Sequence, residues 1–377
     1  MGWNLRDLRK KLKHYKRLRK NETNADKQLK LDETIGSIEE ILDYFTLSFL
    51  NIRPSLRNIF DTDTKFIETY HELNPYVLNF VDRFETEELS YEVDLTQNPD
   101  ITPKRILTIT DDFYNKIRDT RFVKHSRYLN LRRNELVNFK KGKQKFGNSG
   151  DAGTTFQIYN TKDILMHINT NNTLEDYATT IHEYAHAIAF LINQDHSTDY
   201  GKFPFVEVDS IFFEMLGTEY VGLVENSPTQ ALNIDIDRFY DYLLSALIIS
   251  CKLNIHSMIV DDKLNKRDIV KYLKEVEKLE NGEIKNVLYK PMADYYHFVI
   301  SYLTAIELYI IYQDYPEEAL DALHDIISIK DVPSTEYIKL LKEKYGIELG
   351  QNTHVYFEML RNRIGVLTDG KQIQYKS

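Results

Sequence analysis

His182-Glu183-Tyr184-Ala185-His186 sets two imidazoles four residues apart with a carboxylate between them, and Glu207 follows 21 residues after the second imidazole. Imidazole nitrogens and a carboxylate oxygen are donors that zinc takes when it keeps three protein ligands and an open fourth position for a water. The expectation is one zinc ion held by His182, His186 and Glu207, with Glu183 as the general base. The pentad alone is a weak signal, since two histidines satisfied by ordinary hydrogen bonds can bracket a glutamate by chance.

Helical geometry strengthens it. At about 100° per residue, His186 lies about 40° and Glu183 about 100° from His182. Tyr177, Tyr184, Ile188, Leu191 and Ile192 fall on the opposite side as a stripe fit for burial. Ala178, Ala185 and Ala189 flank the histidines and leave room for a metal and a second helix. In the downstream segment, Glu207 and Glu214 are seven residues apart and share a helix face, with Ser210 beside them. A carboxylate among Val206, Val208, Ile211, Phe212 and Phe213 needs compensation. Zinc would compensate Glu207, and support of a ligating histidine would compensate Glu214. Asp209 points to the other side and reads as a solvated or structural acid.

The elements around this site follow from local patterns. Thr173 and Asp176 resemble a capping box that opens the metal helix, predicted to run to about Gln194. Before it, Thr154 to Tyr159 and Asp163 to Asn169 are rich in β-formers and are joined by Asn160-Thr161-Lys162, which predicts a hairpin. Gly142, Gly147, Gly150 and Gly153 mark a loop whose spacing excludes a phosphate-binding P-loop. The first 140 residues have mostly helical periodicity, as in Ile35, Ile38, Ile41, Leu42, Phe45 and Phe49. Pro103 is placed to open a helix running toward Phe139. Helical periodicity resumes from 174, punctuated by Pro228, Pro291, Pro316 and Pro333.

Composition places the chain among ordinary soluble globular proteins: 377 residues, 42% apolar and 28% charged. A lone Cys251 rules out an intrachain disulfide and favours a reducing compartment. There is no run of roughly 18 apolar residues for a membrane span and no secretory h-region. Arg6 stands where myristoylation wants Ser or Thr, so a cytoplasmic protein is expected. Net charge is −10, yet residues 1–20 hold nine Lys or Arg against Asp7 alone. Trp3, Leu5, Leu8, Leu12 and Tyr15 give this run an apolar stripe, so it reads as a helix docked on the body with a solvated basic face. No nucleic-acid partner is expected, because nothing base-stacking or Gly-rich accompanies the charges.

Taken together, these motifs resemble the thimet oligopeptidase and oligoendopeptidase F family of zinc metallopeptidases. Its His-Glu-x-x-His and Glu-x-x-Ser-x-x-x-Glu patterns are matched by His182, Glu183, His186, Glu207, Ser210 and Glu214. Asp163 to Asn169 and Thr173 to Asp176 also resemble the family's approach to its site, and the likeness covers about residues 140 to 310. It implies a mainly α, two-lobed helical zincin with a small β-hairpin or sheet beside the metal helix. An N-terminal helical lobe (1–140) would precede a catalytic lobe (141–377). The implied activity is endopeptidase cleavage of short peptides, with the substrate laid along the extended edge strand. Residues 294–309 resemble the family's tyrosine-rich helix, which implies Tyr302 and Tyr295 as hydrogen-bond donors to the oxyanion, while His297 points away. Two departures stand out: Ala185 where the family usually has Gly, and Tyr289-Lys290-Pro291 where it often has a Gly-rich loop with a His. The chain is also shorter than typical members, and the shortfall is expected in the lobe that closes a channel around short substrates. Alternatives are another glutamate-type zincin acting on larger proteins, or a non-catalytic metal-binding member.

Overall fold

The computed structural model describes residues 5–47, 56–84, 100–141, 153–193 except 159 and 162, 204–261, 266–275, 290–329 and 333–374, with a few isolated positions between them. Most of the glycine loop (142–152), Trp3, Gln194 and Tyr289 lie outside the described residues.

Helices α1 (Leu5–Asn21) and α2 (Ala25–Leu47) run back along each other, with Arg19 Nε 2.6 Å from Asp32 Oδ1 and Lys16 Nζ 2.6 Å from Glu39 Oε1. Next come α3 (Leu56–Thr69), a 3-10 turn at His71–Leu73, and α4 (Asn74–Phe84). The chain continues through α5 (Pro103–Ile117), α6 (Thr120–Leu131) and α7 (Arg133–Leu136). The strands are β1 (Val137–Lys141), β2 (Gly153–Gln157) and β3 (Ile164–Thr170). After them come α8 (Glu175–Ile192), α9 (Val208–Val224), α10 (Pro228–Asp261) and α11 (Lys266–Glu275). The chain closes with α12 (Ala293–Asp314), α13 (Pro316–Ser328), α14 (Ser334–Tyr345) and α15 (Thr353–Gln374). The expected mainly α fold with a small sheet beside the metal helix is observed.

The single long helix expected from Pro103 toward Phe139 is instead three helices and a strand. Thr102 caps α5, its hydroxyl accepting from Arg105 N at 3.3 Å, with Pro103 in the first turn. Arg118 then turns left-handed (φ 61°) and ends the helix, and the Asp119 carboxylate caps α6 by accepting from Arg121 N at 2.8 Å. Val137 to Lys141 leave the helical path because they pair in parallel with Met166 to Thr170 of β3. Long-range pairing of this kind has no local signature. The hairpin is as expected: β2 lies antiparallel to β3, Thr155 opposite Met166, in the order β1-β3-β2.

The main core runs from Leu73 to Leu360 without a break at position 140. A second, smaller core joins Leu8, Ile38 and Ile41 to Ile158 and Leu165, with Leu5, Leu12, Tyr15 and Phe156 packed against it. Helix α1 therefore docks by its apolar stripe on the outer face of the hairpin, where Lys11 and Arg132 both pair with Asp163. Among the described residues, no helix is long and apolar enough to cross a membrane.

A buried ion pair ties α3 to α10. Lys252 Nζ lies 2.7 Å from Asp63 Oδ2, and Asp63 Oδ1 accepts from Met292 N at 2.7 Å, just before α12. Both side chains are almost fully excluded from solvent, and burial pushes the Lys252 pKa down against the pull of Asp63. Replacing Lys252 by Met leaves Asp63 buried and short of a partner, and should lower unfolding free energy by about 3 kcal/mol. Urea denaturation checks this, and the added Asp63→Asn change should restore part of the loss.

Candidate metal centre

The metal helix α8 is buried on nearly every side, with Tyr177, Tyr184, Ile188 and Leu191 in the main core as expected. It begins after Leu174 rather than at a complete capping box. The Asp176 carboxylate instead reaches back to the preceding turn, accepting from Asn171 N at 3.0 Å and from Asn172 N at 2.8 Å. Thr173 contributes its carbonyl to Asp176 N at 3.1 Å. Helix α9 packs directly on α8, and the approach is close enough that a Cβ on Gly217 would fall 2.5 Å from Ile181 Cδ1. That contact sets the two halves of the donor set face to face.

His182, His186 and Glu207 come together so that one donor atom from each lies within 4.8 Å of the others. Glu207 Oε2 is 2.9 Å from His186 Nε2 and 3.4 Å from His182 Nε2. Tetrahedral zinc with bonds of about 2.0–2.1 Å holds its ligand atoms roughly 3.3 Å apart, which the two separations from Glu207 approach, and the donor set is one that could hold a metal ion. Glu207 sits at the N-cap of α9 rather than within it. Its carboxylate is held by Ser210, whose hydroxyl donates to Oε2 at 2.8 Å and to the Glu207 carbonyl at 3.0 Å. Ser301 on α12 fixes the same turn, accepting from Glu207 N at 3.1 Å and donating to the Pro204 carbonyl at 2.9 Å.

The remaining imidazole nitrogens face carboxylates. Glu214 Oε2 lies 2.8 Å from His182 Nδ1, which directs the His182 Nε2 lone pair toward the centre. Arg238 on α10 holds Glu214 in turn, its Nε donating to Oε1 at 2.9 Å. Asp209, expected to be a solvated or structural acid on the far side, is buried with Oδ2 3.8 Å from His186 Nδ1. The crossing of α9 over α8 decides this, and a face computed along α9 alone misses it.

Electrostatics follow from the crowding. Burial resists charge on the imidazoles, but Glu207 and Glu214 push the His182 pKa well up, and Glu207 with Asp209 pushes His186 up to about 9. Burial likewise resists charge on the acids, yet the imidazoles hold Glu207 well below its ordinary value. Arg238 and His182 bring Glu214 down to about 2 against the same opposition. The cluster attracts positive charge, whether protons on the imidazoles or a metal ion that displaces them.

Glu183 shares the cavity, which measures about 510 Å³ and is also lined by Gly153, Thr155, Arg238, Tyr242 and Phe298. Burial raises the Glu183 pKa, with the two imidazoles and Thr155 pulling it back. Thr155 Oγ1 donates to Glu183 Oε2 at 2.6 Å and fixes the carboxylate. Strand alternation explains how: Thr155 faces Glu183 while Phe156 faces the small core under α1.

The structure thus brings His182, Glu183, His186, Glu207 and Glu214 into one cluster. Tyr302 and Tyr295 are not among the described residues that line the cavity. Tyr302 is 1% exposed, and both hydroxyls are buried. Within the Ser301-Tyr302 pair, it is Ser301 that reaches the Glu207 turn. Thr155, Gly153, Arg238 and Tyr242 were not foreseen, because they reach the cavity from elements with no fixed spacing to the pentad.

No protein-family model matches the sequence, and no curated protein sequence matches it. Solved structures do match in fold. An oligoendopeptidase F structure superposes with a TM-score of 0.54 at 13% identity, covering 91% of this chain and 65% of that one. PZ peptidase A with an inhibitor gives 0.54 at 12% identity, covering 90% and 64%. A structure described as a peptidase from Chlamydophila abortus gives 0.51 at 12% identity, covering 95% and 63%. The chain therefore spans less than two thirds of the length of each of these structures. At such identities the likeness is one of fold, and the fold is that of these peptidases.

Proposed function

We propose that the chain is a zinc-dependent endopeptidase that hydrolyses bonds within short peptides. The observation that carries this reading is the convergence of His182, His186 and Glu207 in a cavity that also holds the clamped carboxylate of Glu183. The fold shared with solved peptidases supports it.

When bound, zinc would polarise the scissile carbonyl and acidify a water. The protein's own residues supply the rest. Glu214 orients the His182 imidazole, Asp209 adds negative charge near His186, and Arg238 keeps Glu214 ionised and in place. Glu183 takes a proton from the attacking water and passes it to the leaving amine, first base and then acid. Thr155 keeps the carboxylate aimed at the site where that water stands. The segment Asp163 to Asn169, expected to be the edge strand that holds the peptide, is the central strand, paired on both sides. The free edge beside the cavity is therefore that of β2, which offers main-chain groups along which an extended peptide can lie.

Metal content and turnover test this together. Protein stripped with a chelator should lose cleavage of quenched peptides by at least about 100-fold and regain it with one equivalent of zinc. A peptide-length series should favour short substrates. Equal turnover with and without metal would overturn the reading, as would stoichiometric zinc binding with no peptide cleaved across the series.

A further inference from the structure

The cavity has a tyrosine wall, and it comes from α10. Arg238 and Tyr242 are four residues apart on this helix and so share a face one turn apart. Arg238 anchors that face: its Nε meets Glu214 Oε1 at 2.9 Å, and Glu214 Oε2 meets His182 Nδ1 at 2.8 Å. One turn along, Tyr242 lines the same cavity as His182, Glu183, His186 and Glu207. Its ring stacks on Tyr302 with centroids 4.1 Å apart and planes 28° apart. Tyr302 itself stands behind, ringed by Phe80, Phe239 and Tyr356. Among the described residues, none accepts a hydrogen bond from the Tyr242 hydroxyl.

Several other polar groups on the cavity wall are committed. Arg238 binds Glu214 and lies 3.5 Å from Glu175, Thr155 holds Glu183, and the Ser245 hydroxyl donates to the Asp241 carbonyl at 2.9 Å. A phenol on the cavity wall, braced by ring stacking and uncommitted among the described residues, is suited to act as a preorganised donor.

The geometry points to Tyr242 as the catalytic hydrogen-bond donor to the carbonyl oxygen of the scissile peptide bond, a role that rests on the peptidase reading above. As the water oxygen bonds to the carbonyl carbon, the π pair moves onto the carbonyl oxygen, and Glu183 takes one water proton. Tyr242 donates its hydrogen bond to the resulting oxyanion and keeps its own proton. On collapse the C=O re-forms, the C–N bond breaks, and the amine leaves with the proton carried by Glu183. Burial and the nearby Glu214 and Glu207 carboxylates push the Tyr242 pKa well up against Arg238, so the phenol remains a donor.

Tyr242→Phe in the zinc-loaded full chain tests the role. The ring and its stack are kept, and no protein acceptor loses a partner, so folding and zinc stoichiometry should be unchanged. The expected result is a fall in kcat of about 10²–10³-fold with KM within about threefold. Affinity for a phosphinic peptide, which mimics the tetrahedral species, should fall by a similar factor, while affinity for the product peptides stays the same. Tyr302→Phe should leave kcat within about threefold, because its hydroxyl is buried behind Tyr242. Retained kcat and phosphinic affinity in Tyr242→Phe would overturn the proposal, as would a large loss in Tyr302→Phe alone. If zinc-loaded wild type neither cleaves peptides nor prefers the phosphinic ligand over products, the peptidase reading fails and this role falls with it. Wild-type cleavage with an unaffected Tyr242→Phe overturns the role alone.

Discussion

Glu183→Gln should lower kcat by about 10³-fold or more while leaving zinc bound and the melting temperature near that of wild type. The argument is chemical. A carboxamide has the shape of the carboxylate and can still accept the hydrogen bond that Thr155 Oγ1 gives to Glu183 Oε2 at 2.6 Å. It has no basic lone pair with which to take a proton from water at neutral pH. Nothing in the proposed donor set changes, since His182, His186 and Glu207 would supply the ligand atoms and Glu183 none. Replacing a buried acid by a neutral group also removes a desolvation penalty, so stability should not suffer. Zinc content and peptide turnover measured on the same preparation decide the matter. Retained zinc with retained turnover would remove Glu183 from the mechanism.

Gly153→Val should produce nearly the same loss from a different direction, a fall in kcat/KM of about 10²-fold with zinc affinity changed by less than about threefold. A Cβ at this position would stand 2.6 Å from Glu183 Oε1 and 2.7 Å from its Cγ, closer than atoms in contact allow. The carboxylate cannot simply swing away, because it is buried and tied to Thr155. Valine is a strong strand former, so β2 should keep its pairing with β3 and the damage should fall on the base alone. Gly153→Ala should show a smaller loss in the same sense. A Val variant with wild-type kcat/KM would mean that the carboxylate position seen here is not the one used in catalysis.

The contrast between these two residues also shows where the sequence was readable. Glu183 was legible because it belongs to a helix, where a spacing of one or four residues fixes relative direction before any tertiary contact forms. Glu207, Ser210 and Glu214 were legible for the same reason, although Glu207 stands at the helix cap and not within the helix. Gly153 was visible only as a loop glycine, since what it approaches depends on how β2 sits over α8. Asp209 illustrates the limit most plainly: its direction along α9 is computable, but the acid meets His186 because of how two helices cross. The parallel strand β1 belongs to the same class, set by a pairing partner about 30 residues away in the chain, whereas the break at Arg118 is local, a left-handed turn closed by the Asp119 cap. The place of Tyr302 in the sequence pattern does not reveal that a second tyrosine, Tyr242, stacks on it and lines the cavity in its stead.

The small core beneath α1 gives the candidate centre two unequal foundations. The side chains proposed as metal ligands hang from α8 and the start of α9, whose apolar faces belong to the main core. The clamp on the base hangs from β2, whose outer face rests on a handful of apolar side chains shared with α1 and α2. A small cooperative unit opens more readily than a large one. Loosening the basic first helix should therefore disturb the clamp on Glu183 before it disturbs the histidines, so loss of turnover would precede loss of bound cation.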